Sequence, residues 1–259
     1  MQNTDDYETD NLYRNDGSSF TRVTEEAGLR TYGLTLSATI GDLNNDSYPD
    51  IYISNDFSSP DFMYMNNGDG TFSDVVKETT NQTSFYGMGV DIADFNNDSY
   101  LDYIQVDMDA KDNRRSKANM ASMNPDLFWS TVNYGFHYQY MHNTLQLNRR
   151  IQGDKPFFSN ISRLSGISST DWSWGPLLAD LDNDGWKDLF ISNGIRREIN
   201  HRDFFNDIKL RPMSSDSLLY YTEQMPSEAI ANFTFQNNSD LTFTDVSESW
   251  GLDQKNFSN

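Results

Sequence analysis

The chain contains no cysteine, which excludes disulfide bonds, thiolate metal centres and a cysteine nucleophile. Positive charge is scarce: 19 Lys and Arg against 39 Asp and Glu leave a formal net charge of −20. The basic stripe that phosphates require is missing, so neither nucleic acid nor an anionic membrane is expected as a partner. No apolar run is long enough to span a bilayer. Histidine occurs three times. His137 and His142 are not at the spacing of three or four that stacks side chains on one helix face, and His201 is remote, so a histidine-based metal or proton-transfer centre is not expected. A Gly-x-Ser-x-Gly elbow and a phosphate-binding glycine loop are both lacking. Residues 1–10 are polar and acidic, unlike a secretion signal. The chain is therefore cytosolic, or a leader lies outside this stretch.

What is present is repetition. The 259 residues, 14 Tyr and 17 Phe among them, suit one large all-β domain or two ordinary ones. Three segments align in register: residues 42–50 read DLNNDSYPD, 94–102 read DFNNDSYLD and 180–188 read DLDNDGWKD, each running into a β-rich stretch. A second element alternates with the first, at 12–20 (LYRNDGSSF), 63–72 (MYMNNGDGTF), 145–157 (LQLNRRIQGDKPF) and 233–243 (FTFQNNSDLTF). Alternating apolar residues, an Asn/Gly/Asp turn and a closing Phe are the pattern of a β-hairpin. The unit is thus strand, acidic loop, strand, connector, strand, turn, strand. Four antiparallel strands repeated in tandem form a propeller blade.

The expected fold is all-β: a half blade at 11–29, then blades at about 37–84, 87–168 and 172–252. The next loop-bearing strand is expected just after Leu252, in further blades of a longer parent chain. Two inserts, at about 108–143 and 195–231, fall between the second and third strands of the last two blades. Both read as partly helical, with starts at Asn124-Pro125, where proline suits the first helical position, and helix candidates at 201–209 and 215–223.

The loops place oxygen-bearing side chains at positions 1, 3, 5 and 9: Asp42, Asn44, Asp46 and Asp50; Asp94, Asn96, Asp98 and Asp102; Asp180, Asp182, Asp184 and Asp188. The carbonyls of Tyr48, Tyr100 and Trp186 at position 7 can add a further ligand. Calcium takes six to eight hard oxygen ligands in a flexible shell, whereas magnesium prefers an octahedron with several waters. Up to three Ca2+ ions are expected, with the tightest site at 180–188, which carries one more carboxylate than its counterparts. An EF-hand would need a glutamate at position 12 and flanking helices; position 12 here is Ile53, Gln105 or Ile191. Plain Asx-turns between strands are the alternative reading.

The segments 174–188 (WGPLLADLDNDGWKD) and 64–72 (YMNNGDGTF) resemble the FG-GAP or VCBS repeats of integrin α-subunit propellers and of bacterial exported proteins, above all bacterial relatives of cartilage acidic protein. The resemblance covers nearly the whole chain outside the inserts. It implies a ring of about seven blades, calcium on one face, and a binding or adhesion module held outside the cell, on its surface or in the periplasm. This chain has too few blades to close such a ring.

Strand order puts both inserts on the face opposite the loops. Phe128, Trp129, Tyr134, Phe136, His137, Tyr138 and Tyr140, with Arg196 and Arg197, could form a shared cap for a protein or glycan ligand, or simply pack the insert onto the blades. Catalysis is not the expected role. The second reading is a carbohydrate-active enzyme, or its substrate-binding part, using the insert face, with Asp56, Asp107 and Asp109 as the acids to watch.

Overall fold

Short alternating strands separated by Asn- and Gly-rich turns give antiparallel ladders. In the computed structural model, residues 10–29, 32–57, 59–120, 123–153, 155–211 and 215–258 are described; the acidic run 1–9 lies outside them. Three blades of four strands form in chain order, the sheet of the third being extended to five by the short strand Met108–Asp109. The first blade comprises Leu34–Gly41, Asp50–Asp56, Phe62–Asn66 and Phe72–Asp74. The second comprises Val90–Ala93, Asp102–Gln105, Thr144–Gln152 and Lys155–Asn160. The third comprises Asp171–Ala179, Asp188–Asn193, Phe233–Asn237 and Phe243–Asp245. The protein is all-β and propeller-like, with two partly helical inserts.

The hairpin Tyr13–Asn15 and Phe20–Arg22 corresponds to the outer half of a blade. Its Asn15↔Phe20 pair matches Asn66↔Phe72 and Asn237↔Phe243. The return bond from Val23 N to Leu12 O matches those from Val75 N to Met63 O and from Val246 N to Thr234 O.

Apolar residues are sandwiched between successive blades. Tyr52, Met63 and Leu43 of the first blade meet Tyr103, Val90 and Phe158 of the second. Ile104, Leu145 and Val106 of the second meet Leu189, Ile191 and Phe235 of the third. Ala27 and Leu29 after the hairpin meet Ile53 and Tyr64. Innermost strands are tied directly: Thr39 Oγ1 donates to Val90 O (3.0 Å) and Leu178 N to an Asp91 carboxylate oxygen (2.6 Å). Past Gln105, Met108–Asp109 leaves its own sheet and pairs with Trp172 and Asp171 of the third blade.

The first insert holds helices Asn113–Ala118 and Pro125–Asn133 and a short strand, Gln139–Tyr140, that pairs in parallel with Thr83–Ser84. Asn124 caps the second helix by accepting from Asp126 N and Leu127 N, with Pro125 in its first turn. The second insert holds Arg202–Ile208, capped by His201, and Ser215–Glu223. The helix at 113–118 is not anticipated by any apolar period in the sequence; its local cue is the Asp112 cap, which accepts from Arg115 N.

Arg115 locks the two inserts together. Its side chain, 5% exposed, forms two bonds to Asp171 (2.6 and 2.8 Å), one to Glu198 (2.9 Å) and one to Glu228 (3.0 Å). Arg202 adds a bond to Met120 O. The aromatic residues of the first insert divide. Phe128 and His137 are buried, whereas Trp129, Tyr134, Phe136, Tyr138 and Tyr140 are exposed.

A buried polar network sits between the first two blades. Asp61 accepts from Asn55 N (2.8 Å), Gln105 Nε2 (2.9 Å) and the Tyr52 hydroxyl (2.9 Å). Burial pushes its carboxyl up to about 7 despite those bonds. A group whose folded pKa is raised keeps its proton in the fold at pH values where the unfolded chain has already released it. Stability from Asp61 is therefore fully present below about pH 4 and lost as pH rises to about 7. Urea unfolding of the metal-free protein should show stability falling between those values. Asp61→Asn should remove part of that slope, on the order of 1–3 kcal/mol. An unchanged slope would exclude Asp61 as its source.

Candidate metal centres

Each acidic loop joins the first strand of a blade to the second, and all three fold by one hydrogen-bond scheme. The position-1 carboxylate accepts from the backbone N of positions 5 and 6: Asp42 from Asp46 and Ser47, Asp94 from Asp98 and Ser99, Asp180 from Asp184 and Gly185, at 2.8–3.0 Å. Position 3 also accepts from position 5, through Asn44, Asn96 and Asp182. Position 5 accepts from the position-7 N of Tyr48, Tyr100 and Trp186.

The position-9 aspartate is buried and fastens the loop to the sheet. One oxygen of Asp50 accepts from Leu43 N and the other from Asn66 N; Asp102 does the same with Phe95 and Asn148, and Asp188 with Leu181 and Asn237. Asn66, Asn148 and Asn237 come from the third strands. Their role was missed in reading the sequence, although an asparagine at one register of every hairpin was the available signal.

The loops are also bonded to one another. Asn45 Nδ2 donates to Ser99 O and Asn97 Nδ2 to Gly185 O, both at 3.1 Å. Asn148 Nδ2 donates to Leu43 O and Asn237 Nδ2 to Phe95 O. The three loops thus form one continuous row along one end of the blades.

The fold brings carboxylates together at the third loop. Ligand oxygens of Asp180, Asp182 and Asp188 all lie within 4.8 Å of one another. The first two loops have Asn44 and Asn96 at position 3, so the carboxylate triad there is replaced by two acids and an amide. Burial, and beyond it the neighbouring loop acids, pushes Asp50 up to about 6 and Asp102 up to about 8; Asp188 is shifted in the same direction for the same reasons. Burial is the main cause of each shift, and the like charge of the loop acids adds to it. The donor set is all hard oxygen, with neither nitrogen nor sulfur, and it fits Ca2+. A cation at the centre would reverse the shifts and release protons on binding.

Loop positions 4 and 6 adopt left-handed backbone: Asn45, Asn97 and Asn183 at φ 57–62°, and Ser47, Ser99 and Gly185 at 72°, 71° and 94°. Asparagine tolerates this conformation and glycine is free in it, but serine is strained by about 1–2 kcal/mol. Ser99→Gly should raise stability by about 0.5–1 kcal/mol once the greater freedom of glycine in the unfolded chain is deducted, measurable as a higher urea midpoint. A loss of stability would mean that the Ser99 hydroxyl contributes more than its backbone strain costs.

The acids watched for chemistry serve as structural acceptors. Asp107 is fully buried and bonds the Ser84 hydroxyl and the backbone N of Phe85 and Tyr86. Asp109 accepts from Ser169, and Asp56 from Phe57 N.

Blades of four antiparallel strands, each with the same Asp/Asn loop between its first two strands, define a propeller-type repeat protein with its loops aligned at one end. The model of the FG-GAP-like repeat matches residues 3–53 and 43–104, so this part of the chain carries FG-GAP-like repeats. The chain is similar to cartilage acidic protein 1 of Xenopus tropicalis and of Mus musculus, each 24% identical over 200 residues, and of Homo sapiens, 25% identical over 202. These matches cover 66% of this chain but only 30–31% of the relatives, so the chain spans less than a third of their length. The third loop, 180–188, lies outside the matched repeats yet has the same bonding.

Proposed function

We propose that this chain is part of a calcium-stabilised FG-GAP/VCBS-type propeller that serves as a binding or adhesion module outside the cytoplasm, at the cell surface or in the periplasm. The single observation that carries the calcium assignment is the convergence of Asp180, Asp182 and Asp188 within a loop scheme repeated three times. By position, Asp42, Asn44, Asp46, Asp50 and the Tyr48 carbonyl would serve one ion. Asp94, Asn96, Asp98, Asp102 and the Tyr100 carbonyl would serve a second. Asp180, Asp182, Asp184, Asp188 and the Trp186 carbonyl would serve a third. Millimolar external calcium saturates even weak oxygen sites, which suits a module working outside the cell.

The role as a binding module is supported by the FG-GAP-like repeats at 3–104 and by the exposed aromatics of the first insert. The ligand is a protein or a glycan, and further blades of a longer parent chain complete the propeller. Among the described residues no helix is long and apolar enough to cross a membrane.

Calorimetric titration of the metal-stripped chain with Ca2+ tests the metal assignment. Up to three ions should bind, and Asp180→Asn combined with Asp182→Asn should remove the tightest. No heat of binding in the unaltered protein would overturn it.

A further inference from the structure

A pocket of about 500 Å3 opens between the connector joining the first two blades, the end of the first insert and the outer strand of the second blade. It is distinct from the acidic loops. In a chain with 39 acidic residues, none lines it. Its one charged residue is Arg163, exposed, which forms no ion pair among the described residues.

One wall is Tyr140. Its ring is held from behind by Phe128 (centroids 5.3 Å apart) and by the edge of His142 (6.2 Å) and remains 39% exposed. His142 is buried, and its pKa is lowered by that burial, so the ring is neutral. Nδ1 faces Tyr140 O at 3.4 Å, an atom that can only accept, so Nδ1 carries the proton and Nε2 accepts. Gln82 Nε2 (3.2 Å) and Asn160 Nδ2 (3.3 Å) are the donors that meet it. Asn160 Oδ1 is then occupied by Ser162 N. Gln82 Oε1 is left without a protein donor among the described residues. The Ser162 hydroxyl, in a residue with no exposed surface, also lacks a partner.

We infer that this pocket binds an acidic saccharide. A flat aromatic wall takes the C–H face of a sugar ring, while the Gln82 amide, fixed by its bond to His142, meets a ring hydroxyl in place of water. The guanidinium of Arg163, without an ion pair among the described residues, takes a carboxylate or sulfate in a bidentate contact. The lack of acids in the lining lessens the repulsion that the rest of this surface would impose on an anion, with Asp109 the nearby acid that still acts on Arg163 and His142. The inference names the ligand class of the binding module proposed above and rests on that reading, but not on the metal centres.

The test is an array of defined oligosaccharides, neutral, uronate-bearing and sulfated, with an Asp-rich peptide as control. It is probed with the whole chain and with Tyr140→Ala and Arg163→Gln, followed by calorimetry on the best saccharide. Acidic members should bind and neutral ones should not. Each variant should weaken binding by about tenfold or more while it still unfolds cooperatively and its calcium titration matches the unaltered chain. Binding to no acidic saccharide, equal binding to neutral members or to the peptide, or full binding by Arg163→Gln would overturn the inference. Saccharide binding without calcium binding would sink the metal assignment and leave this one standing.

Discussion

Arg115→Met should destabilise the protein by about 3–5 kcal/mol, the cost of leaving buried acids without their cation. The side chain donates to Asp171 through Nε and Nη2 and, through Nη1, to Glu198, which is 1% exposed, and to Glu228. Burial already holds the Glu198 carboxyl above its usual range, with Arg115 opposing the shift. Without the cation, Glu198 would take up a proton or stay charged in a low-dielectric site. Either outcome makes the loss larger as pH rises. One Glu198 oxygen lacks a hydrogen-bond partner even with Arg115 in place, so the site has no reserve of donors. Asp171 is held at φ 83°, a strained backbone that costs about 1–3 kcal/mol and persists only where contacts over-determine it; the bidentate pair with Arg115 is such a contact. Urea midpoints with and without Glu198→Gln provide the check. The double variant should recover a large part of the loss, because the unpaired charge is then absent. A loss under about 1 kcal/mol from Arg115→Met would show that the inserts dock without the ion cluster.

The second large effect is expected at Asp188. Asp188→Asn keeps one acceptor oxygen but turns an NH2 group toward either Leu181 N or Asn237 N, both of which now donate to the carboxylate at 3.0 Å. A buried donor left facing a donor costs about 1–3 kcal/mol without any metal. If Ca2+ is bound, the variant also forfeits the ion's contribution, about 2.7 kcal/mol at a calcium concentration 100 times Kd. In excess calcium the melting temperature should fall on the order of 10 °C, and in chelator by roughly half as much. Equal losses in calcium and in chelator would mean that Asp188 fastens the loop but holds no ion. No loss in either condition would contradict the two backbone bonds.

The strand units were legible because their signals are local. Alternation in 63–72 and 233–243, the Asn-rich turns and the β-rich residues after each Asp/Asn loop demand only neighbours along the chain. Asn124 with Pro125 announces a helix start for the same reason. The helix at 113–118 and the four-residue Val76–Thr79 went unread, since so short a helix owes its stability to packing rather than propensity. The strand pairs Thr83–Ser84 with Gln139–Tyr140, and Ile230–Ala231 with Lys255–Asn256, join segments far apart in sequence and have no local mark at all.

The candidate site divides along the same line. Residue spacing alone determined that three loops present oxygen atoms at positions 1, 3, 5 and 9, because covalent order fixes which side chains share a nine-residue turn. It also determined, through the lack of cysteine and the excess of acid, that a hard cation is the ion to consider. Only the tertiary structure decided that Asp50, Asp102 and Asp188 are clamped by asparagines of a distant strand, that Asn45 and Asn97 join one loop to the next, and that Arg115 of the first insert gathers acids from the third blade and the second insert. Hydrogen bonds and ion pairs act over about 3 Å, and which residues come that close across 50 or 100 positions is set by how the sheets stack, a property that no stretch of sequence carries by itself.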